Sequence, residues 1–204
     1  MKKFSNTYIF LYITALVVII AVVLTLVYNG LKPRREMNQQ AEKCQQILQA
    51  AGYHDIDRQQ AVKLFDDVAE QIQISDTQEV YHILCADGAD GYAFSLKGKG
   101  LWGPIWGYAV TNIDGTILKG VAFDHKSETP GLGAKITDEA FLKAFEGKKL
   151  YDKDGNFVSV RVLKPGTESE IADENRVDAI SGATLTSRGV DEMMRQLGDC
   201  QSPN

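Results

Sequence analysis

The chain has 204 residues, 44% of them hydrophobic, with 27 acidic against 22 basic side chains and a formal net charge of −5. That length suffices for one sizeable domain with accessory segments, and the acidic balance argues against a nucleic-acid-binding role. Cys44, Cys85 and Cys200 stand in no C-x-x-C spacing, so they offer no metal site, and their odd number leaves at least one thiol unpaired within the chain.

Tyr8 to Tyr28, YIFLYITALVVIIAVVLTLVY, carries no charge, proline or glycine. As a helix it spans ~30 Å, the thickness of a bilayer core. Tyr8, Tyr12 and Tyr28 fall towards its ends, where interfacial aromatics belong. A cleaved signal peptide would have a shorter apolar core and an A-x-A-like site after it. NGLKPRREMNQ follows instead, so a retained anchor over residues 1–35 is expected. Cys44 lies well past the run, after Ala-Glu-Lys, which does not suit a lipid-anchored cysteine. Lys2 and Lys3 before the span nearly balance Lys32, Arg34 and Arg35 after it, so charge leaves the orientation open.

Residues 36–75 read as a helical lead-in. Met37, Ala41, Cys44, Leu48 and Ala51 recur at helical spacing, and Gly52 closes the run. Asp57 is a candidate cap for a second helix with Leu64, Val68 and Ile72 along one face. His54 and His82 stand alone and are assigned structural or solvent roles.

A mixed domain over residues 76–204 follows. EVYHILC and GYAFSL flank ADGAD, a turn signal. WGYAVTNIDGTILKGVAF places two β-prone runs around Asp114-Gly115, a pair favoured in tight hairpins. KITDEAFLKAFEGK reads as a short helix capped by Thr137, with Phe141, Ala144 and Phe145 inward and Gly147 ending it. NFVSVRVLK is another strand. SRGVDEMMRQLG is a last helix, with Val190, Met193, Met194 and Leu197 inward and Gly198 as terminator. Helices, strands, helix, strand, helix is an α+β order rather than a doubly wound one.

Three loops carry the candidate chemistry. DAISGATLTS, residues 178–187, leads into the last helix. Unpaired N–H groups and a partial positive charge collect at a helix N-terminus. Gly182 and Ala183 leave the backbone open to a phosphate, while Ser181, Thr184, Thr186 and Ser187 add hydroxyls. A plain helix cap is the competing reading. HKSETPGLGAK, residues 125–135, has the type II turn pair Pro130-Gly131 and a further Gly133; Thr129, Lys135 and the backbone face a ligand or merely form a tight loop. GKGLWGPIWGY, residues 98–108, sets Trp102, Trp106 and Tyr108 among four glycines. One tryptophan belongs to the core, and an exposed one suits stacking on a planar ring.

SETPGLG and DAISGATLTS resemble the two signature motifs of the FMN-binding domain family. In that family FMN is attached through its phosphate to a threonine hydroxyl, within a consensus of Asp, two variable residues, Ser or Thr, Gly, Ala and Thr. Asp178, Ala179, Ile180, Ser181, Gly182, Ala183 and Thr184 match it throughout. The anchor, GKGLWGPIWGY and the F-x-H-x-x-ETPGLG run are similar to the C-subunit family of Na+-translocating NADH:quinone oxidoreductases over nearly the whole length. The G subunit of the related Rnf complex shares the anchor and both loops but not the tryptophan-rich stretch. A non-redox extracytoplasmic assembly module is a further alternative.

The resemblance implies an α+β FMN-binding domain behind a single transmembrane helix, acting as electron carrier in a membrane complex that oxidises NADH and reduces ubiquinone with sodium transport. It implies covalent FMN on Thr184, attached by a flavin transferase that uses FAD and Mg2+. Asp178 then faces that enzyme or its metal, or else caps a turn. Ser181, Gly182, Ala183 and Thr186 accompany Thr184; Thr186 lies outside the acceptor position. Glu128, Thr129, Gly131, Leu132, Gly133 and Lys135 are implied to line the flavin, with Trp106 or Trp102 near its ring. The chain is expected to hold no metal and no catalytic residue of its own. It has no G-x-G-x-x-G between strand and helix for NADH. The implied partners are other subunits, the transferase and the lipid bilayer, with the domain periplasmic on a bacterial inner membrane.

Overall fold

The computed structural model describes residues 6–75, 78–167 and 170–201; Lys2 and Lys3 lie outside them. The chain divides into two compact units, one reaching to Ala41 and the other running from Glu42. The first is helical throughout its described residues and forms most of α1, Asn6–Ala50. Tyr8–Tyr28 is exposed along its length, and α1 is long and apolar enough to cross a membrane. The predicted span and the helix predicted after it are one element that continues through Pro33.

The second unit is built on an antiparallel meander. Strands β1 (Ala69–Ser75), β2 (Gln78–Leu84), β3 (Asp90–Lys99), β4 (Pro104–Asn112) and β5 (Leu118–His125) pair in sequence order. The class is α+β, as expected. The β2–β3 turn passes through Gly88 at φ +79, and the β4–β5 turn through Gly115 at φ +67. In the latter, Asn112 Oδ1 accepts the N–H groups of Thr116 and Ile117.

Successive side chains alternate across the sheet, and helices cover both of its faces. Tyr81, Ala93, Tyr108, Val110 and Ala122 pack with Cys44, Ile47 and Leu48 at the end of α1 and with Ala61 of α2 (Arg58–Val68). Phe94, Leu96, Ile105, Ala109 and Phe123 pack on the other face. There they meet Phe145, just after α3 (Glu139–Lys143), and Val190, Met193, Met194 and Leu197 of α4 (Thr184–Gln201). Fully burying side chains of this size contributes about 1.5–3 kcal/mol each relative to exposure. Cys44 and Cys85 are buried free thiols. His82 Nε2 lies 3.3 Å from Asp90 at the surface.

Several elements differ from expectation. Ile72 belongs to β1, opposite Val80, so the helical lead-in stops at Val68; pairing with β2 outweighs the helix preference of a Gln-rich run. Asp57 stands at the N-cap of α2, but its side chain makes no capping hydrogen bond. Thr137 closes a 3-10 turn, Gly133–Thr137, through its hydroxyl to Ala134 O, and Asp138 rather than Thr137 precedes α3. Of NFVSVRVLK only β6, Arg161–Leu163, joins a sheet, parallel to β7, Arg176–Asp178. Ser159 interrupts the run at φ +60, and its hydroxyl donates to Met194 O at 2.7 Å. The last helix starts at Thr184, not Ser187, and runs through Gly198. A Cβ on Gly198 would lie 2.6 Å from the Phe157 ring, so that glycine allows close packing instead of ending the helix.

Candidate functional site

Three loops converge at the N-terminus of α4. The first leaves β7, whose pairing with β6 sets Asp178 opposite Leu163. Ala179 N–H donates to Leu163 O at 2.7 Å. Ile180 N–H then donates to Ser187 Oγ at 3.1 Å, and Ala183 N–H to Ile180 O at 3.1 Å. Gly182 takes φ +77, a conformation that costs a residue with a Cβ. The loop therefore delivers Thr184 as the first residue of α4. Thr184, Asp178, Ser181 and Gly182 are exposed, while Ala183 is buried.

The second loop, 125–133, is tied to α4 by Glu128. This carboxylate is only 5% exposed. Its Oε2 accepts the Thr186 hydroxyl at 2.6 Å and its Oε1 accepts the Trp102 N–H at 2.8 Å. Its own N–H donates to His125 Nδ1 at 3.2 Å. Burial pushes the carboxyl pKa up. The Thr186 hydroxyl and the N–H groups of Trp102, Leu101 and Gly103 outweigh that and hold it below its ordinary value. Thr186 is 1% exposed. Glu128 and Thr186 are thus engaged with each other inside the protein, where the sequence expectation had them contacting a ligand.

The glycines divide by role. A Cβ on Gly133 would run into Glu128 Oε2 and come within 2.7 Å of Thr186 Oγ1. Gly131, at φ +76, points into open space. In the third stretch, a Cβ on Gly98 would meet Met193, one on Gly100 would meet Glu128 Oε1 at 2.5 Å, and one on Gly103 would meet Ser127 Oγ at 2.7 Å. A Cβ on Gly107 would meet Ala122 O and Phe123. All four glycines of GKGLWGPIWGY are filled by protein atoms, so they serve loop and sheet packing.

Neither tryptophan is in the core. Trp106 is half-buried on β4, opposite Asp124, whose carboxylate accepts the Gln46 side chain of α1. Opposed residues share a face, so Trp106 lies on the α1 side of the sheet, away from α4. Trp102 is 67% exposed and sits on the loop that Glu128 holds. Leu132 is 43% exposed and meets Gly182 across the loops. Thr129 is exposed, and its carbonyl accepts the N–H groups of Leu132 and Ala134.

Two cavities flank the 178–184 loop. One, about 700 Å³, is lined by the polar Lys135, Asp178 and Ser181 and the apolar Phe141, Ala144, Val177 and Ile180, among others. The other, about 520 Å³, is lined by Ser181, Gly182 and Thr184 together with Arg161, Lys164, Arg188 and Arg195. Its one lining carboxylate is Asp191, and Arg188 pairs with Glu192 at 3.2 Å, which leaves Lys164 as the cation with no ion pair among the described residues. Asp191 accepts Arg161 in two hydrogen bonds, Val162 N–H at 2.9 Å and Arg195 at 2.6 Å, fastening α4 to β6. Sequence reading missed this cluster, although Arg188, Asp191 and Arg195 recur at helical spacing. A third cavity, about 560 Å³, lies away from Thr184 between the end of α1, the 52–56 loop and α3, with His54 in its wall.

Residues 100–198 match the family described as FMN-binding domain. The chain is 34% identical over 136 residues to the C subunit of the Na(+)-translocating NADH-quinone reductase of Vibrio anguillarum, covering 66% of this chain and 52% of that one. It is 35% identical over 130 residues to the same protein of Neisseria meningitidis serogroup B, covering 63% and 49%. The chain thus spans about half the length of these curated relatives. The crystal structure of the corresponding C subunit from Parabacteroides distasonis superposes with a TM-score of 0.74 at 32% identity, over 85% of this chain and 98% of that one. Shewanella oneidensis NqrC gives 0.62 at 26% identity, over 76% and 91%.

Proposed function

Because this chain belongs to the FMN-binding domain family, with the C subunit of the Na(+)-translocating NADH-quinone reductase among its kin, we propose that it is an electron-transfer subunit that bears FMN covalently on Thr184. The observation that carries this reading is the presentation of that residue. Thr184 is exposed at the first turn of α4, behind a loop of small residues, in the wall of a cavity it shares with Arg161, Lys164, Arg188 and Arg195. The helix N-terminus and the cations together favour a phosphodiester anion there.

No His, Cys or Lys occurs between residues 178 and 187 to activate the hydroxyl. Activation therefore comes from a separate transferase acting with FAD and Mg2+. Thr184 Oγ displaces adenylate at the flavin-side phosphorus of FAD. The Oγ–P bond forms, the pyrophosphate P–O bond breaks, AMP leaves and the hydroxyl proton goes to the transferase. Asp178 and Ser181, exposed beside the acceptor, face that enzyme. Once bound, the flavin supplies the electron acceptance and release. The residues of the chain hold and orient it: Leu132 stands beside the loop, exposed Thr129 and Trp102 flank Glu128, Gly131 shapes the turn, and Lys135 lines the neighbouring cavity.

The NqrC relatives favour this assignment over the Rnf G subunit, and the FMN-binding match favours it over an assembly module. In the full reading α1 anchors the chain in a bacterial inner membrane, the domain is periplasmic, and electrons pass between NADH and ubiquinone through neighbouring subunits with Na+ transport. Reporter fusions at Asn204 test the orientation: a periplasm-dependent reporter is active there and a cytoplasmic one silent. Coexpression with a flavin transferase tests the core of the proposal. The denatured chain then carries flavin absorbance, and a colourless chain returns the protein to the assembly-module class.

A further inference from the structure

We propose that Glu128 is a positioning residue of the flavin site: its buried carboxylate fixes the Trp102 loop and the first turn of α4 in one frame, and sets an unneutralised negative charge behind the surface on which the flavin lies. This rests on the reading of Thr184 as the flavin acceptor.

Three observations carry it. The carboxylate joins two loops and a helix at one point, through the Trp102 N–H and the Thr186 hydroxyl. Thr186 lies two residues after Thr184, so this contact sets the rotation of the turn that presents the acceptor. Room for the carboxylate is made by two glycines from different loops, since a Cβ on either Gly100 or Gly133 would strike it. Finally, among the described residues no Lys or Arg forms an ion pair with Glu128. Its partners there are N–H and O–H dipoles, which stabilise the charge without cancelling it. A buried charge of that kind acts at longer range than one in water.

The consequence is electrostatic. Reducing a flavin adds electrons beside a fixed anion, so the carboxylate lowers the midpoint potential. Glu128→Gln keeps the shape and removes the charge. Thr186→Val breaks the tie to α4 and keeps the charge.

The test compares both variants with the unmutated chain, coexpressed with the transferase. Spectroelectrochemical titration of the bound flavin gives a higher midpoint potential for Glu128→Gln and no rise for Thr186→Val. An unchanged potential in Glu128→Gln overturns the electrostatic role. The positioning role is read on flavin-free protein by amide exchange. In Glu128→Ala the Trp102 amide exchanges roughly tenfold faster or more, the scale of one hydrogen bond to a charged group, measured against the Val110 amide at the sheet centre. Equal protection of Trp102 in both proteins overturns it. An unmutated chain that takes up no flavin defeats the Thr184 reading alone, because the exchange experiment needs none.

Discussion

Leu132 and Gly182 touch across the two signature loops: a Cβ placed on Gly182 would lie 3.0 Å from Leu132 Cδ2. Gly182 also sits at φ +77, which costs a residue with a Cβ about 1–2 kcal/mol. Gly182→Ala therefore strains the turn before Thr184 and pushes against Leu132. The expected result is a folded chain with a lower Tm and reduced covalent flavin. In-gel flavin fluorescence per unit protein measures the second quantity. Full incorporation in this variant would mean that the transferase tolerates a displaced loop.

Gly131 and Gly133 make an internal comparison. Gly131→Ala meets only conformational strain, about 1 kcal/mol, because its Cβ points into open space. Gly133→Ala carries no such strain but drives a methyl group into the Glu128–Thr186 hydrogen bond, and disturbing a hydrogen bond to a charged group costs about 1.5–3 kcal/mol. Urea midpoints give the order: Gly133→Ala falls further than Gly131→Ala. The reverse order would mean that the Glu128 contact contributes little to stability.

Asp191 links the same helix to β6. Burial pushes its pKa up, but Arg161, the Val162 N–H and Arg195 outweigh that and leave it below its ordinary 3.8. A carboxylate with a depressed folded pKa adds stability that is fully present above its unfolded pKa and is lost as pH falls through the folded one. Asp191→Asn therefore flattens the acid limb of stability below about pH 4. Asp191→Ala leaves Arg161 and the Val162 N–H without their partner, at a cost of about 3–5 kcal/mol. Denaturant unfolding from pH 3 to 7 checks both. A steep acid limb retained in Asp191→Asn would place the pH dependence on other carboxylates, Glu128 first.

The turn before the last helix was legible in the sequence because its signal is local, a Ser-Gly-Ala run just ahead of the helix, although the helix itself begins three residues earlier than expected, at Thr184. The two β-hairpins were legible for the same reason, as alternating apolar runs around Gly88 and Gly115. What escaped was non-local. The glycines of GKGLWGPIWGY carried no sign in the sequence of what they pack against, which is Met193, Glu128, Ser127 and Ala122, from as far as α4. The two tryptophans could not be told apart until strand register put Trp106 on the α1 face, opposite Asp124. Thr186 read as one more hydroxyl donor of the loop, and only the fold showed that it donates to Glu128. Ile72 went from helix to strand because its pairing partner lies across a hairpin.

Thr184 carries the functional claim, and its variants separate chemistry from folding. Its side chain is exposed and is no part of the buried core. Thr184→Ala removes a hydroxyl and a methyl from the first helical turn, so the expected loss is at most about 1 kcal/mol, on the scale of cap deletions. Covalent flavin should vanish completely, because no other atom in the loop combines a hydroxyl with comparable exposure at the helix start. Ser187 is committed to the Ile180 N–H and Thr186 to Glu128, both 1% exposed. Ser181 is exposed but precedes Gly182 and the helix. Thr184→Ser keeps a hydroxyl and should retain part of the flavin. Thr186→Ala should still carry its flavin on Thr184, at reduced occupancy, while losing stability, since it strips a hydrogen-bond donor from a buried carboxylate that holds the turn. Each variant is coexpressed with the transferase, denatured and examined for flavin fluorescence, and the modified peptide is located by mass. A fluorescent Thr184→Ala band, or an adduct on Ser181, Thr186 or Ser187, would move the attachment point and with it the electron-transfer site.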